Sequence, residues 1–185
     1  MTTERTHPED AFAPARGAGP EAPAESAGAV EPTASAEPRD VESLIARVDR
    51  GPRVKYVFFW GHRVPRSGVD SGCLSQWYPS PFTVDGVTYA TAEHWMMAGK
   101  ARLFGDVEAE RRAVAASHPK AAKTIGRQVR GFDEQRWVDA RFELIVRGNV
   151  AKFGAHDDMR AFLLGTGERV LVEASPLDRL WGIGL

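Results

Sequence analysis

The strongest constraint on this chain is a break in composition near residue 40. From Met1 to Arg39 the sequence is Ala, Pro, Glu and Gly with almost no large apolar side chain, and such a segment cannot bury enough surface to offset the entropy of ordering it. Residues 1–39 are therefore expected to be a disordered tail, an inert extension rather than a tether. Val41, Leu44, Ile45 and Val48 recur at helical spacing, which predicts a short lead-in helix over 40–50, ended by Gly51-Pro52. What remains, residues 51–185, is long enough for one domain with a real core and too short for two.

Charge divides at the same place. Residues 1–50 carry five Lys/Arg against ten Asp/Glu, leaving nineteen against fifteen for the rest, a net of about +4. A mildly basic domain suits a small phosphate-bearing ligand better than a long nucleic-acid track, which needs a dense basic stripe; an ordinary solvated surface fits the totals equally well. No stretch reaches the roughly eighteen apolar residues of a membrane span and no signal peptide opens the chain, so a cytoplasmic protein with no membrane partner is expected. The single cysteine, Cys73, excludes an internal disulfide framework. No Cys/His spacing resembles a zinc site, so no metal is expected.

The Val-, Tyr-, Phe- and Trp-rich stretch Arg53 to Trp60 reads as a buried strand. Phe82 to Tyr89 is interrupted by Asp85-Gly86, the dipeptide of a tight hairpin turn. Together these strands are expected to form a small antiparallel sheet. Thr91 then stands as a cap ahead of a helix from Ala92 to Phe104 closed by Gly105, which puts Glu93 in a first turn. Helices follow over Asp106 to Ala116, from His118 or Ser117 with Pro119 in the first turn through Arg127, from Glu134 (capped by Asp133) to about Phe153, and from Asp157 to Gly165; Arg169 to Ala174 is a last strand. The fold class is α+β, a mostly helical single domain with a small antiparallel sheet.

Several side chains could do chemistry. A carboxylate at a helix start is favoured as an anion by the nearby amides and the dipole, and Glu93 in that state could stabilise positive charge on a sugar ring, orient water or attack an anomeric carbon. Many first-turn glutamates merely complement the dipole. Lys100, seven residues on, projects from nearly the same face and is either a phosphate ligand or a surface lysine. Asp178 and Trp181, three apart near the end of the chain, could clasp and stack a planar base, or cap a turn and plug the core. Trp137 and Trp77 carry the same ambiguity. Arg127, after Gly126, reaches either a phosphate or a helix terminus. A Cys73/His94 nucleophilic pair has no local feature in its favour. Phosphate-loop, dinucleotide and nucleophile-elbow motifs are absent.

Taken in order, Cys73-Leu74-Ser75-Gln76-Trp77-Tyr78-Pro79, Asp85-Gly86, Tyr89-Ala90-Thr91-Ala92-Glu93-His94, Lys100-Ala101, Lys152-Phe153 and the run Leu171 to Gly182 resemble the NADAR, or YbiA-like, family over about Val54 to Leu185. The resemblance implies hydrolysis of an N-glycosidic bond with no metal or other cofactor. It implies as substrate a phosphoribosylamino-pyrimidine like those of riboflavin synthesis, releasing ribose 5-phosphate. Relatives remove ADP-ribose from modified guanine, including in nucleic acid. Glu93 matches the family's catalytic glutamate, and Trp137, Asp178 and Trp181 match residues of its active site. The implied division is catalysis by Glu93 and Asp178, with substrate bound by Trp137, Trp181, Lys100, Arg127, Gln76 and His94. Gln76 stands where many relatives have Asn. The family pattern continues past Trp181-Gly182 into an Asn-x-Leu-Gly element and a final helix while this chain stops at Gly184-Leu185, so a domain lacking that segment is expected. Three functions follow: the phosphoribosylamine N-glycosidase, an ADP-ribosyl hydrolase with a more open basic rim, and a non-catalytic ADP-ribose- or nucleotide-binding module.

Overall fold

The computed structural model describes residues 40–51, 53–176 and 182–183. Of the described residues, those from Ile45 onward fall in one compact unit and those up to Leu44 in another. Helix α1 (Val41–Arg50) buries none of its side chains.

The main body is organised around α2 (Ala92–Leu103). Its residues from Ala92 to Gly99, and Ala101, are all buried, the pattern of a helix enclosed on every side rather than one resting on a core by a single stripe. Around it run α3 (Val107–Val114), α4 (Pro119–Arg127) and the long α5 (Glu134–Gly154), followed by α6 (Asp157–Gly165). The helix starts follow local chemistry: Thr91, Asp106, His118 and Asp133 each cap a backbone amide with the side chain, and Pro119 opens α4 where its missing N–H costs nothing. Glycines let these helices approach. A side-chain carbon at Gly148 would run into the Trp95 indole.

Strands β2 (Phe82–Val84) and β3 (Val87–Tyr89) form the expected antiparallel hairpin. Asp85 and Gly86 both adopt positive φ, 50° and 79°, as a two-residue I′ turn demands. Strand β1 (Tyr56–Phe59) does not join this hairpin, contrary to the expectation from sequence. It pairs in parallel with β4 (Val170–Glu173), Tyr56 opposite Val170 and Phe59 opposite Glu173. Parallel strands need a long crossover, and here the whole helical body between β1 and β4 supplies it. A short 3-10 turn, Ser71–Leu74, capped by the Asp70 side chain, carries the chain from β1 toward the start of α2.

Candidate active site

Thr91 fixes the first turn of α2 twice. Its hydroxyl accepts the His94 N–H and lies 2.8 Å from His94 Nδ1. On the far side of the ring, Nε2 is 3.0 Å from the Ala116 carbonyl. A carbonyl only accepts, so Nε2 carries the proton and Nδ1 receives the Thr91 hydroxyl. Burial pushes the imidazole pKa down, the Ala116 carbonyl opposes this in part, and nearby His118 adds to it. Both ring nitrogens are thus committed to the protein. His94 braces the helix start and offers no free edge to a ligand.

Glu93 is 2% exposed and its Oε1 is shut off from solvent. Its backbone N–H, one of the amides that a first helical turn leaves without an intrahelical partner, donates to the Gln76 carbonyl at 3.0 Å. The loop that follows the 3-10 turn therefore seals this end of α2. Gln76 in turn donates from Nε2 to Asn149 Oδ1 at 3.3 Å, and Asn149 donates to the Ile145 carbonyl within α5. Three residues beyond Asn149, the ammonium of Lys152 donates to the carbonyls of Cys73 at 2.7 Å and Ser75 at 2.8 Å. Lys152 is fully buried. Sequence reasoning missed this residue as a site element, although the buried positions Gly148 and Lys152 fall four apart on the core face of α5.

Lys100 is half-buried, with its ammonium 4.0 Å from the centre of the Phe132 ring and 5.5 Å from that of Trp137. Burial lowers its pKa below the ordinary lysine value. Structure thus brings together Lys100 and the buried Trp137, and adds Phe132, which no sequence motif flagged. At about 1.5 Å per residue, Lys100 lies roughly 10 Å along the helix from Glu93. Arg127 is exposed in the last turn of α4, and no hydrogen bond, ion pair or ring contact among the described residues joins it to Lys100. Asp178 and Trp181 lie outside the described residues.

Trp77 packs with His62 and His118, ring centres 5.6 Å and 5.9 Å away. His118 continues into an open cleft of about 550 Å³ whose walls include Arg112, Lys120, Thr124 and Gln128. A largely apolar cavity of about 450 Å³ is lined by Phe59, Leu74, Met96, Phe153, Gln76 and Asn149, among others. Cys73 is buried and its thiol is pushed up to about 11, chiefly by burial and partly offset by Lys152. With His94 engaged elsewhere, a Cys73/His94 nucleophilic pair has no basis. Among the described residues no cluster of three His, Cys, Asp or Glu side chains is arranged to hold a metal ion, and no helix is long and apolar enough to cross a membrane.

Comparison with known proteins places this arrangement in context. The NADAR domain matches residues 58–185. N-glycosidase R617 of Acanthamoeba polyphaga mimivirus is 40% identical over 136 residues, covering 71% of this chain and 79% of the relative. N-glycosidase YbiA of Escherichia coli (strain K12) is 32% identical over 115 residues, covering 62% and 70%. The NMR structure of the E. coli protein YbiA superimposes with a TM-score of 0.57 at 28% identity, covering 70% of this chain and 74% of that one. By the extent of that match and by these relatives, the chain belongs to the NADAR domain family.

Proposed function

We propose that this chain is an N-glycosidase, a hydrolase that cleaves the N-glycosidic bond of a phosphoribosylamino-pyrimidine and releases ribose 5-phosphate. The observation that carries this reading is Glu93: a carboxylate with a solvent-shielded Oε1, on a helix turn whose amides are held by Gln76 and Thr91, in a family whose relatives are named N-glycosidases. A fixed carboxylate stabilises an oxocarbenium-like centre because its charge is already in place as the ring becomes positive. In the proposed reaction the bond from the anomeric carbon to nitrogen breaks and its electron pair leaves with the amine. Water, oriented by Glu93, adds to the carbon and gives up a proton to the Glu93 carboxylate, while the amine nitrogen takes a proton from Asp178; return of the Glu93 proton to Asp178 through solvent resets both groups. Trp137 and Trp181 serve as aromatic plates for the base. Lys100, held over Phe132 and Trp137, and Arg127 are assigned to the phosphate, with Lys100 favoured by its semi-enclosed position. Gln76 acts through its carbonyl and His94 as a brace.

The test compares the full chain with Glu93→Gln, which keeps shape and removes charge. Purified proteins are incubated with phosphoribosylaminopyrimidines and freed ribose 5-phosphate is measured. A fall of about 100-fold or more in kcat is expected, the scale on which a fixed transition-state charge partner acts. A folded Glu93→Gln protein with full activity would remove the central assignment, and uptake of ligand without product would make the chain a binding module.

One observation favours a second reading, hydrolysis of an ADP-ribosyl group from guanine or a nucleotide, including in nucleic acid. The open cleft beside Trp77 carries Arg112, His118 and Lys120 on its walls, a setting suited to a second phosphate or a backbone. Including ADP-ribosylated DNA, ADP-ribose and NAD in the same assay separates the two. Either substrate belongs to the cell interior, so a cytoplasmic site of action is part of the proposal, with residues 1–39 as an inert extension ahead of the domain in residues 51–185.

A further inference from the structure

We infer that Lys152 is a positioning residue for the Glu93 turn: from the core of α5 it holds the Cys73–Gln76 loop, and that loop holds the start of α2. The inference rests on the N-glycosidase reading only for its effect on turnover; the mechanical link stands without it.

A fully buried lysine normally needs a carboxylate, because an ammonium out of water is costly. Lys152 has instead two backbone carbonyls, Cys73 at 2.7 Å and Ser75 at 2.8 Å, and the Phe153 ring centre at 5.1 Å. Both carbonyls belong to one short loop. The next carbonyl in the chain, that of Gln76, accepts the Glu93 N–H. Asn149, on the same helix, takes the Gln76 side chain. One helix thus grips the loop at the Cys73 and Ser75 backbone and at the Gln76 side chain, and beyond its own local turn bonds the loop reaches, through the Gln76 carbonyl, the residue proposed to do the chemistry. A core built only for packing would have an apolar residue at position 152. A lysine there adds two directed bonds that fix where the loop carbonyls point, and those set the height at which the first turn of α2 sits.

The titratable group that acts on this lysine is the Cys73 thiol of the loop; Asp70 at the start of the loop and Asp158 on α6 act in turn on Cys73 and on the Tyr78 phenol. Burial lowers the Lys152 pKa to about 8, while Cys73 stays protonated well above that. Shedding the proton removes the burial cost yet leaves two N–H donors for two carbonyls. Linkage then requires that the closed loop be favoured as pH rises through 8, because an opened loop would return the lysine toward its ordinary value.

The experiment reads amide hydrogen exchange of Glu93 by NMR, alongside kcat and KM, in the full chain and in Lys152→Met, which matches size and removes both donors. Glu93 exchange is expected to accelerate about 10-fold or more, the factor that loss of one bond of ordinary strength gives, with the α3 and α4 amides unchanged. On a phosphoribosylaminopyrimidine, kcat should fall about 10- to 100-fold with KM nearly constant, as for a misplaced catalytic group. If Lys152→Met does not fold, the native protein decides. Glu93 protection, corrected for hydroxide catalysis, should rise along the titration curve of the Lys152 amine. Unchanged Glu93 protection in a folded Lys152→Met, or protection flat across that titration, overturns the inference. Native protein that shows the exchange effect but releases no sugar would sink the enzymatic reading and leave the mechanical link in place.

Discussion

Gly148 lies against the indole of Trp95 with no room for a side-chain carbon between them. The ring cannot easily move aside, since its Nε1–H donates to the Leu144 carbonyl at 2.8 Å and the side chain is almost fully buried. Gly126 is equally crowded, but its neighbour is the Met97 side chain, which has rotatable bonds to spare. Gly148→Ala should therefore lose stability, overpacking of about 1–3 kcal/mol outweighing a helix-propensity gain of about 1 kcal/mol. Gly126→Ala should lose less. Urea midpoints of the two variants check the order, and equal midpoints would mean that the indole yields as readily as the methionine.

Thr91 and His94 make a second testable joint. Thr91→Val keeps the shape but leaves the His94 amide and Nδ1 without the hydroxyl, at a cost of about 1–2 kcal/mol; Thr91→Ser should recover most of it. The imidazole adds a pH signature. Its folded pKa is pushed below the ordinary 6.5, so under acid conditions the unfolded chain binds a proton that the folded chain refuses. Stability from this group is complete above about 6.5 and falls as pH drops through it. Denaturant titrations at pH 5 and pH 7.5 should show a smaller difference in His94→Gln than in the native protein.

How much of this could be read beforehand follows the range of the interactions. The Asp85-Gly86 turn and the Thr91 and Asp133 caps are set by residues within a few positions of one another, and the chain states them openly; Asp106, expected inside its helix, caps it instead, and of Ser117 and His118 it is His118 that caps the next. The start of α2, with Glu93 in its first turn, is legible for that reason. The β1–β4 pairing joins residues more than a hundred positions apart, and nothing in a Val/Phe-rich tetrapeptide names its partner. Lys152 was hidden by its type, since a lysine reads as solvated until its carbonyl partners arrive from a distant loop. Phe132 was hidden likewise, because its importance depends on the ammonium of Lys100 lying over it.

The Lys100 cradle yields a prediction about specificity. An ammonium drawn over two aromatic faces keeps its N–H donors on the open side, and its lowered pKa means that a bound dianion should raise it again. Lys100→Met should raise KM for a phosphorylated ribosylamine about 10-fold or more while changing kcat little, as expected when binding common to ground and transition states is lost. The same variant should treat the dephosphorylated substrate as the native protein does. Equal losses on both substrates would place the phosphate elsewhere, with Arg127 the next candidate.

Lys152 and Cys73 pull alkaline stability in opposite directions, and the sign of each can be worked out. The Lys152 amine has a pKa of about 8 in the fold against 10.5 when exposed. Between those values the unfolded chain binds the extra proton, so stability rises with pH. The Cys73 thiol is raised from 9.0 to about 11. Between those values the folded chain retains a proton that the unfolded chain has released, so stability falls. At about 1.4 kcal/mol per pKa unit the windows are worth on the order of 3 kcal/mol each at most. The native protein should therefore gain stability from pH 8 to 9, hold roughly level to about 10.5 as the two effects cancel, and lose it above. Lys152→Met should erase the early rise and expose the Cys73 decline from pH 9 onward. Cys73→Ala should do the reverse, extending the rise to 10.5. Urea unfolding at pH 7.5, 9, 10.5 and 11 measures all three profiles, and a native curve indistinguishable from both variants would mean that neither group is as buried in solution as its zero exposure implies.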